Sequence, residues 1–205
     1  MSEHKYPALV VTRKTGSEKF INVDIKETLH EFWSWAHSDL CSNAERGVLA
    51  EYIVSLALKC ADGVRAEWDA YDVHSPENIK VEVKSCAYIQ TWTQKKLSNI
   101  IFGIRQTHAY EYGLTVFDEE LKRQADVYVF CVENCKDQDL VNPFDLNQWD
   151  FYVIATRTLD EKFGSQKTLT LKTLEKLGPI GATKCSFSDL RNAILSEYEY
   201  QTCPL

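Results

Sequence analysis

Two carboxylates and one lysine stand close together near the middle of the chain, in the stretch RAEWDAYDVHSPENIKVEVKS. They are Asp72, Glu82 and Lys84. Mg²⁺ prefers a few carboxylate oxygens completed by waters and substrate phosphate, so Asp72 and Glu82 suit a magnesium site. Such an ion polarises a phosphate and lowers the pKa of a bound water, while a nearby ammonium positions that water. These residue types therefore predict hydrolysis of a phosphodiester bond.

The local pattern places these residues on a β-hairpin. Residues 64–73 and 79–87 have the composition of strands, and HSPEN between them supplies the proline and asparagine of a turn. By the strand period of two, Asp72 continues a face formed by Val64, Ala66, Trp68 and Ala70. A turn centred near Pro76 sets Asp72 diagonal to Glu82, with their Cβ atoms roughly 7 to 8 Å apart. At that spacing the two carboxylates can clamp one cation.

A helix that precedes the hairpin carries a further carboxylate, Glu51. Ser42 and Glu45 stand in the S-x-x-E arrangement of a capping box, so the helix begins there and runs to about Lys59. Helical spacing predicts its core stripe, which consists of Val48, Leu49, Tyr52, Ile53, Leu56 and Ala57.

Glu-x-Lys on a strand also has an ordinary explanation. Glu82 and Lys84 would then form a solvent-facing ion pair worth well under about 1 kcal/mol. The joint pattern favours the chemical interpretation, because a carboxylate on an apolar face, a hairpin of suitable length and a capped helix with another carboxylate occur together.

These motifs resemble the PD-(D/E)xK superfamily of restriction-endonuclease-like nucleases. Asp72 followed by Glu82-Val83-Lys84 reproduces the Asp…Glu-x-Lys element, and Gly47 to Glu51 is similar to the Gly-x-x-x-Glu helix of Holliday-junction resolvases. The resemblance implies an α-β-β-β-α-β core, Mg²⁺ dependence with Mn²⁺ able to substitute, and cleavage of phosphodiester bonds. Tyr71 departs from the pattern, because proline often precedes the aspartate in this superfamily.

The resemblance also implies roles for individual residues. Asp72, Glu82 and Glu51 would bind the metal, since Glu45 is occupied as the capping residue, and Lys84 would assist the attacking water. Asp69 lies on the opposite strand face from Asp72 and is interpreted as a surface or hydrogen-bonded residue. Gln90 is a weaker, substrate-binding candidate, because it follows the lysine strand where such enzymes contact substrate; a solvated polar position is the alternative.

Outside the motif, the order of helices and strands predicts an α/β domain with a central mixed β-sheet flanked by helices, and the resemblance implies that this is a restriction-endonuclease-like core. Residues 27–36 form an amphipathic helix, and SNIIFGI, DVYVFCVE and DFYVIATR are apolar runs typical of strands. A helical segment is expected within residues 117–125, and further helices at residues 171–177 and 188–198. Residues 1–205 are predicted to form one domain.

Composition restricts the setting of the protein. The 205 residues contain no apolar run of the roughly 20 residues that a membrane span needs, and the N-terminus lacks a long apolar signal region. Seven dispersed cysteines are typical of reduced thiols, so a cytoplasmic location is expected. The net charge of −7 disfavours nucleic-acid binding, although a basic strip of Arg46, Lys95, Lys96 and Arg105 could face DNA locally.

The resulting hypothesis is a Mg²⁺-dependent DNA endonuclease that acts in restriction, in defence against foreign DNA or in repair. A homodimer is possible under this hypothesis, because cutting two strands requires two active centres. Two alternatives stay open at this point. One is a catalytically inactive protein of the same fold that serves as a nucleic-acid-binding or assembly subunit. The other is an unrelated α/β protein, in which Asp72 and Glu82 lie far apart.

Overall fold

The computed structural model describes residue 6 and residues 9–65, 69–108, 120–178 and 181–204. Its helices are α1 (Leu29–Ala36), α2 (Asn43–Ala57), α3 (Thr156–Phe163), α4 (Leu171–Lys176) and α5 (Phe187–Thr202). Its strands are β1 (Val73–His74), β2 (Lys80–Ala87), β3 (Ile101–Gly103), β4 (Val127–Glu133), β5 (Trp149–Ala155), β6 (Thr168–Thr170) and β7 (Thr183–Cys185).

A five-stranded mixed sheet forms the centre of the molecule, with the strand order β1-β2-β4-β5-β7. Strands β2 and β4 are parallel, while the other neighbouring pairs are antiparallel. Strands β3 and β6 form a separate two-stranded antiparallel sheet. The predicted α/β class with a central mixed sheet flanked by helices is confirmed. The chain departs from the implied α-β-β-β-α-β order, because β3, β4 and β5 follow the β1–β2 hairpin before α3 in the described residues.

Helices and the small sheet cover the two faces of the central sheet. One face, which includes Val81, Val83 and Val129, packs against α2 and α5. The other face, which includes Tyr128 and Phe130, packs against Phe102 of β3, Leu169 of β6 and side chains of α3 and α4. All seven residues of β4 are buried because both faces are covered, as the unbroken apolar run in DVYVFCVE predicts. The strand prediction for DFYVIATR is also confirmed, by β5.

The hairpin that carries the motif is shorter than predicted. Val73 pairs with Val81 and His74 with Lys80, so the turn at HSPEN is confirmed, but β1 has only two residues instead of ten. Asp72 ends the strand pairing, because its side-chain oxygen accepts the hydrogen bond from the backbone N–H of Val83. Val64 is exposed rather than on a core face, and residues 66–68 lie outside the described residues.

Helix α2 begins as the sequence predicts. The Ser42 side chain accepts a hydrogen bond from the Glu45 backbone N–H, and the helix continues to Ala57. The Glu45 carboxylate, however, contacts His37 Nδ1 at 3.0 Å, so the reciprocal half of the capping box was a wrong prediction. The buried face of the helix also differs from the predicted one. Val48, Tyr52 and Leu56 were predicted to be buried but are exposed. The residues that pack against the sheet are Leu49, Ala50, Ile53 and Val54. Ala50 in the centre allows the helix backbone to approach the sheet closely.

The helix predicted at residues 27–36 is confirmed by α1, which starts with a capping box between Thr28 and Glu31. None of its residues is buried, and Trp35 is 83% exposed. The two C-terminal helices are also confirmed, by α4 and a longer α5.

Among the α-helices and strands named above, α3, β6 and β7 were not predicted. The helix predicted within residues 117–125 is wrong for residues 120–125, which are irregular, and residues 117–119 lie outside the described residues. SNIIFGI contains β3, but this strand joins the small sheet rather than the central one. Within the described ranges, no helix combines the length and the apolar character needed to cross a membrane.

Candidate functional site

Asp72 is held at the open edge of β2. Its backbone N–H donates to the Val81 carbonyl at 3.1 Å, and its Oδ2 accepts from the Val83 N–H at 2.7 Å. The short β1 pairs with β2 only at Lys80 and Val81, so in the described residues no strand neighbours β2 on this side beyond Val81. The carboxylate of Asp72 therefore accepts the Val83 N–H hydrogen bond that the carbonyl of a neighbouring strand would otherwise accept.

The environment of Asp72 opposes its ionisation. Burial raises the pKa of this carboxyl to about 7, and the negative charges of Glu82 and Glu51 add to the increase. The Val83 N–H and the Lys84 ammonium act in the opposite direction, but they do not compensate for burial. A partly buried carboxyl with a strongly raised pKa is typical of a functional site.

Glu82 and Lys84 lie side by side on β2 and form an ion pair. They point away from the α2 face, since Val81 and Val83 occupy that side. Their side chains are only 19% and 33% exposed, respectively, so they are not an ordinary solvent-facing pair. Burial alone lowers the pKa of Lys84, but Glu82, Asp72 and Glu51 together raise it above its usual value. Lys84 is therefore protonated at neutral pH.

Glu51 belongs to α2 and is paired with Arg65. The guanidinium donates from Nε to Oε2 at 2.5 Å and from Nη2 to Oε1 at 3.0 Å, which is the bidentate geometry favoured by arginine and carboxylate. Glu51 also acts electrostatically on both Asp72 and Lys84. The structure thus brings together Glu51, Asp72, Glu82 and Lys84 at one edge of the sheet. This closeness of Asp72 and Glu82 contradicts the alternative in which they lie far apart.

A groove of about 1120 Å³ adjoins this edge. Glu51 and Asp72 line the groove together with Arg65, Asp69 and His74, whereas Glu82 and Lys84 are not among its lining residues. Asp69 is exposed, as predicted, and His74 is exposed as well. The four predicted site residues therefore interact electrostatically, but only Glu51 and Asp72 reach this groove.

In the described part of the chain, no group of three or more His, Cys, Asp and Glu side chains is arranged so that it could hold a metal ion. The three predicted carboxylate ligands are held in other contacts. Glu51 is bound to Arg65 and Glu82 to Lys84, while one oxygen of Asp72 is bound to the backbone. The predicted metal ligands are near one another, but each already has a partner.

Gln90 lies away from solvent, although the sequence suggested a substrate contact. It is buried, its Oε1 accepts from Arg46 at 3.2 Å, and its Nε2 donates to the Ala87 carbonyl at 2.9 Å. Arg46 is buried as well and also donates to the Cys41 carbonyl, so it cannot belong to the surface strip that the sequence suggested. Lys95, Lys96 and Arg105 are exposed.

Two residues near the site were missed by sequence reasoning. Arg65 gave no signal, because its partner Glu51 is fourteen residues away on another element. Tyr128 pairs directly with Glu82 across the parallel β2–β4 ladder. Burial raises the pKa of its hydroxyl, and the charge of Glu82 raises it further. Only the β2–β4 register reveals this neighbour, so no local sequence signal could have found it.

Comparison with known proteins defines the class. The model of the bacteriophage T4 endonuclease IV family matches residues 4–172, a span that contains Glu51, Asp72, Glu82 and Lys84. The protein is therefore of the nuclease class. More specifically, the chain belongs to the phage T4 endonuclease IV family. No curated protein and no solved structure matches it.

Proposed function

We propose that this protein is a Mg²⁺-dependent endonuclease that hydrolyses phosphodiester bonds of DNA, with an active centre of the PD-(D/E)xK type. The observation that carries the proposal is the position of Asp72, which is hydrogen-bonded to the backbone N–H of Val83 between the paired side chains of Glu82 and Lys84, in a chain of an endonuclease family. Cleavage of foreign DNA or a role in repair are the biological settings that we associate with this chemistry.

The chemistry of the carboxylates suits a divalent cation, which would have to replace the present partners of Glu51 and Glu82. Burial raises the pKa of Asp72 and the negative charge of Glu82 raises it further, whereas a cation beside the two carboxylates would favour the ionised form of Asp72. Two carboxylates with waters and a phosphate oxygen suit Mg²⁺, which rarely uses an all-protein cage. Asp72 and Glu82 would hold the ion, with Glu51 as a further ligand directly or through water. When bound, the ion supplies polarisation of the phosphate and a water of lowered pKa.

Lys84 acts in this proposal as a fixed positive charge and a hydrogen-bond donor. Because its pKa is raised, it retains its proton at neutral pH and cannot serve as the base that deprotonates water. An ammonium held one pleat from Glu82 can orient a water molecule and stabilise the negative charge that develops on the phosphate. Its pairing with Glu82 preorganises it in that position.

Incubation of the purified protein with supercoiled plasmid is the direct test. We expect conversion to nicked or linear DNA with Mg²⁺ or Mn²⁺, and no conversion in EDTA. Linear product at early times would indicate paired active centres in a homodimer, whereas nicked circles would indicate independent ones. Absence of cleavage of any DNA form with any divalent cation would refute the proposed activity and favour the inactive-subunit alternative.

Replacement of Arg65 tests whether Glu51 takes part in binding the ion. Because Glu51 must leave its bidentate pair with Arg65 to reach a cation, Arg65→Gln should tighten Mn²⁺ binding by up to about fivefold, equivalent to the roughly 1 kcal/mol of a partly exposed ion pair. Isothermal titration calorimetry without nucleic acid measures this directly. Arg157→Gln is a matched control, because Arg157 pairs with Glu161 in α3. Unchanged affinity in Arg65→Gln would remove Glu51 from the proposed ligand set.

A further inference from the structure

The groove beside Glu51 and Asp72 has a wall that the motif does not include. This wall is the irregular segment of residues 11–15, which lines the groove together with α2, residues 60–65 and residues 69–74. Arg13 attaches the segment to the loop after α2, since its Nη1 donates to the Ala61 carbonyl at 2.8 Å. A segment more than fifty residues away from Asp72 in sequence thus shares a groove with it.

The charges on this wall are available to a ligand. Lys14 forms no ion pair with the described residues, and Arg13 uses one of its five N–H donors on Ala61. Arg65, by contrast, is already neutralised by Glu51. In a chain with a net charge of −7, two adjacent cations that form no ion pair with the residues that the structure describes favour an anionic ligand beside a carboxylate site.

The size and the lining of the groove indicate a polymeric ligand. Its volume of about 1120 Å³ exceeds the roughly 300 to 1,000 Å³ of ordinary small-molecule sites. Trp33 and Tyr52 also line it and are partly exposed, so they offer flat apolar surface next to the cations. A chain that alternates phosphates with sugars and bases matches this combination better than a free phosphate does.

We propose that residues 11–15 form one wall of the substrate channel, in which Arg13 and Lys14 bind phosphates of the nucleic acid on one side of the scissile bond. This inference rests on the proposed function, because it takes Glu51 and Asp72 as the reacting end of the same groove. Phosphate contacts of this kind position the strand and contribute to substrate affinity more than to the chemical step.

The test compares two double variants that remove the same charge. Arg13→Gln/Lys14→Gln alters the groove wall, whereas Lys19→Gln/Lys26→Gln alters exposed lysines that do not line the groove. Binding of a fluorescein-labelled DNA oligonucleotide, as a single strand and as a duplex, is followed by anisotropy in EDTA over a series of salt concentrations. For Arg13→Gln/Lys14→Gln, loss of two phosphate contacts should reduce the salt slope, the slope of the logarithm of the binding constant against the logarithm of salt concentration, by about 1.4 to 1.8 in magnitude. The KM for cleavage should rise about tenfold or more, with kcat unchanged within about twofold.

Lys14→Gln alone controls for loosening of the segment, because it leaves the bond from Arg13 to Ala61 intact. It should reduce the salt slope by about 0.7 to 0.9. If both groove variants match the Lys19→Gln/Lys26→Gln control in slope and KM while the wild type cleaves DNA, the channel is refuted and the proposed activity stands. If the wild type does not cleave but the groove variants lose salt slope, the proposed activity fails and the binding site stands.

Discussion

Asp72→Asn is expected to slow DNA cleavage by at least about a thousandfold at saturating Mg²⁺. Loss of a metal-binding carboxylate removes several kcal/mol of transition-state stabilisation, and about 4 kcal/mol corresponds to a factor of a thousand. Asparagine has the same shape, and its side-chain oxygen can still accept the hydrogen bond from the Val83 N–H. The fold should therefore be retained, and single-turnover cleavage measures the chemical step.

The same variant has a distinct signature in stability. The pKa of Asp72 is raised to about 7 in the folded protein, so between pH 4 and pH 7, roughly, the native state binds more protons than the unfolded state. The stability contributed by Asp72 is consequently lost as pH rises through that interval. Asp72→Asn should melt at a higher temperature than the wild type at pH 8, and this advantage should vanish near pH 4.

The control for both measurements is Asp69→Asn. Asp69 lines the same groove but is exposed, so its replacement removes one negative charge without changing the partly buried group of Glu51, Asp72, Glu82 and Lys84. We expect this variant to cleave at a rate within a few fold of the wild type. Retention of activity within about tenfold in Asp72→Asn would show that Asp72 does not take part in the reaction.

Lys84→Gln should reduce kcat by about a hundredfold to a thousandfold, the effect of removing one preorganised donor from the developing charge, roughly 2.7 to 4 kcal/mol. Asp72→Asn removes a proposed ligand and should weaken Mn²⁺ binding, whereas Lys84→Gln should not. Removal of a positive charge beside Glu82 should leave Mn²⁺ affinity unchanged or tighter, because it removes electrostatic repulsion. Titration calorimetry combined with cleavage rates separates the two roles.

Lys80→Gln is the matched control for Lys84→Gln. Lys80 is an exposed lysine of the same strand, and its ammonium lies 5.5 Å from the centre of the Tyr71 ring. Its loss should leave kcat within about twofold of the wild type. Equal effects of the two substitutions would mean that Lys84 acts only through the overall charge of the protein, and its assignment as a site residue would be abandoned.

The candidate site illustrates which features can be read locally. The turn at HSPEN, the Ser42 cap and the apolar run of β4 depend on neighbouring residues in the chain, and the structure contains all three. The length of β1 could not be predicted in the same way. It depends on the side chain of Asp72 replacing a backbone acceptor for Val83, eleven residues later. The buried face of α2 likewise depends on how the helix packs against the central sheet.

By itself, the amino-acid sequence determined the α/β class, the hairpin and the helix that carry Glu51, Asp72, Glu82 and Lys84, because turn chemistry, capping and hydrophobic periodicity act over a few residues. Only the tertiary structure decided the surroundings of these side chains. The raised pKa of Asp72, the Arg65 pair of Glu51, the burial of Gln90 against Arg46 and the approach of Tyr128 to Glu82 all join distant segments. Burial and electrostatic interaction depend on distance in space, which a linear pattern does not contain.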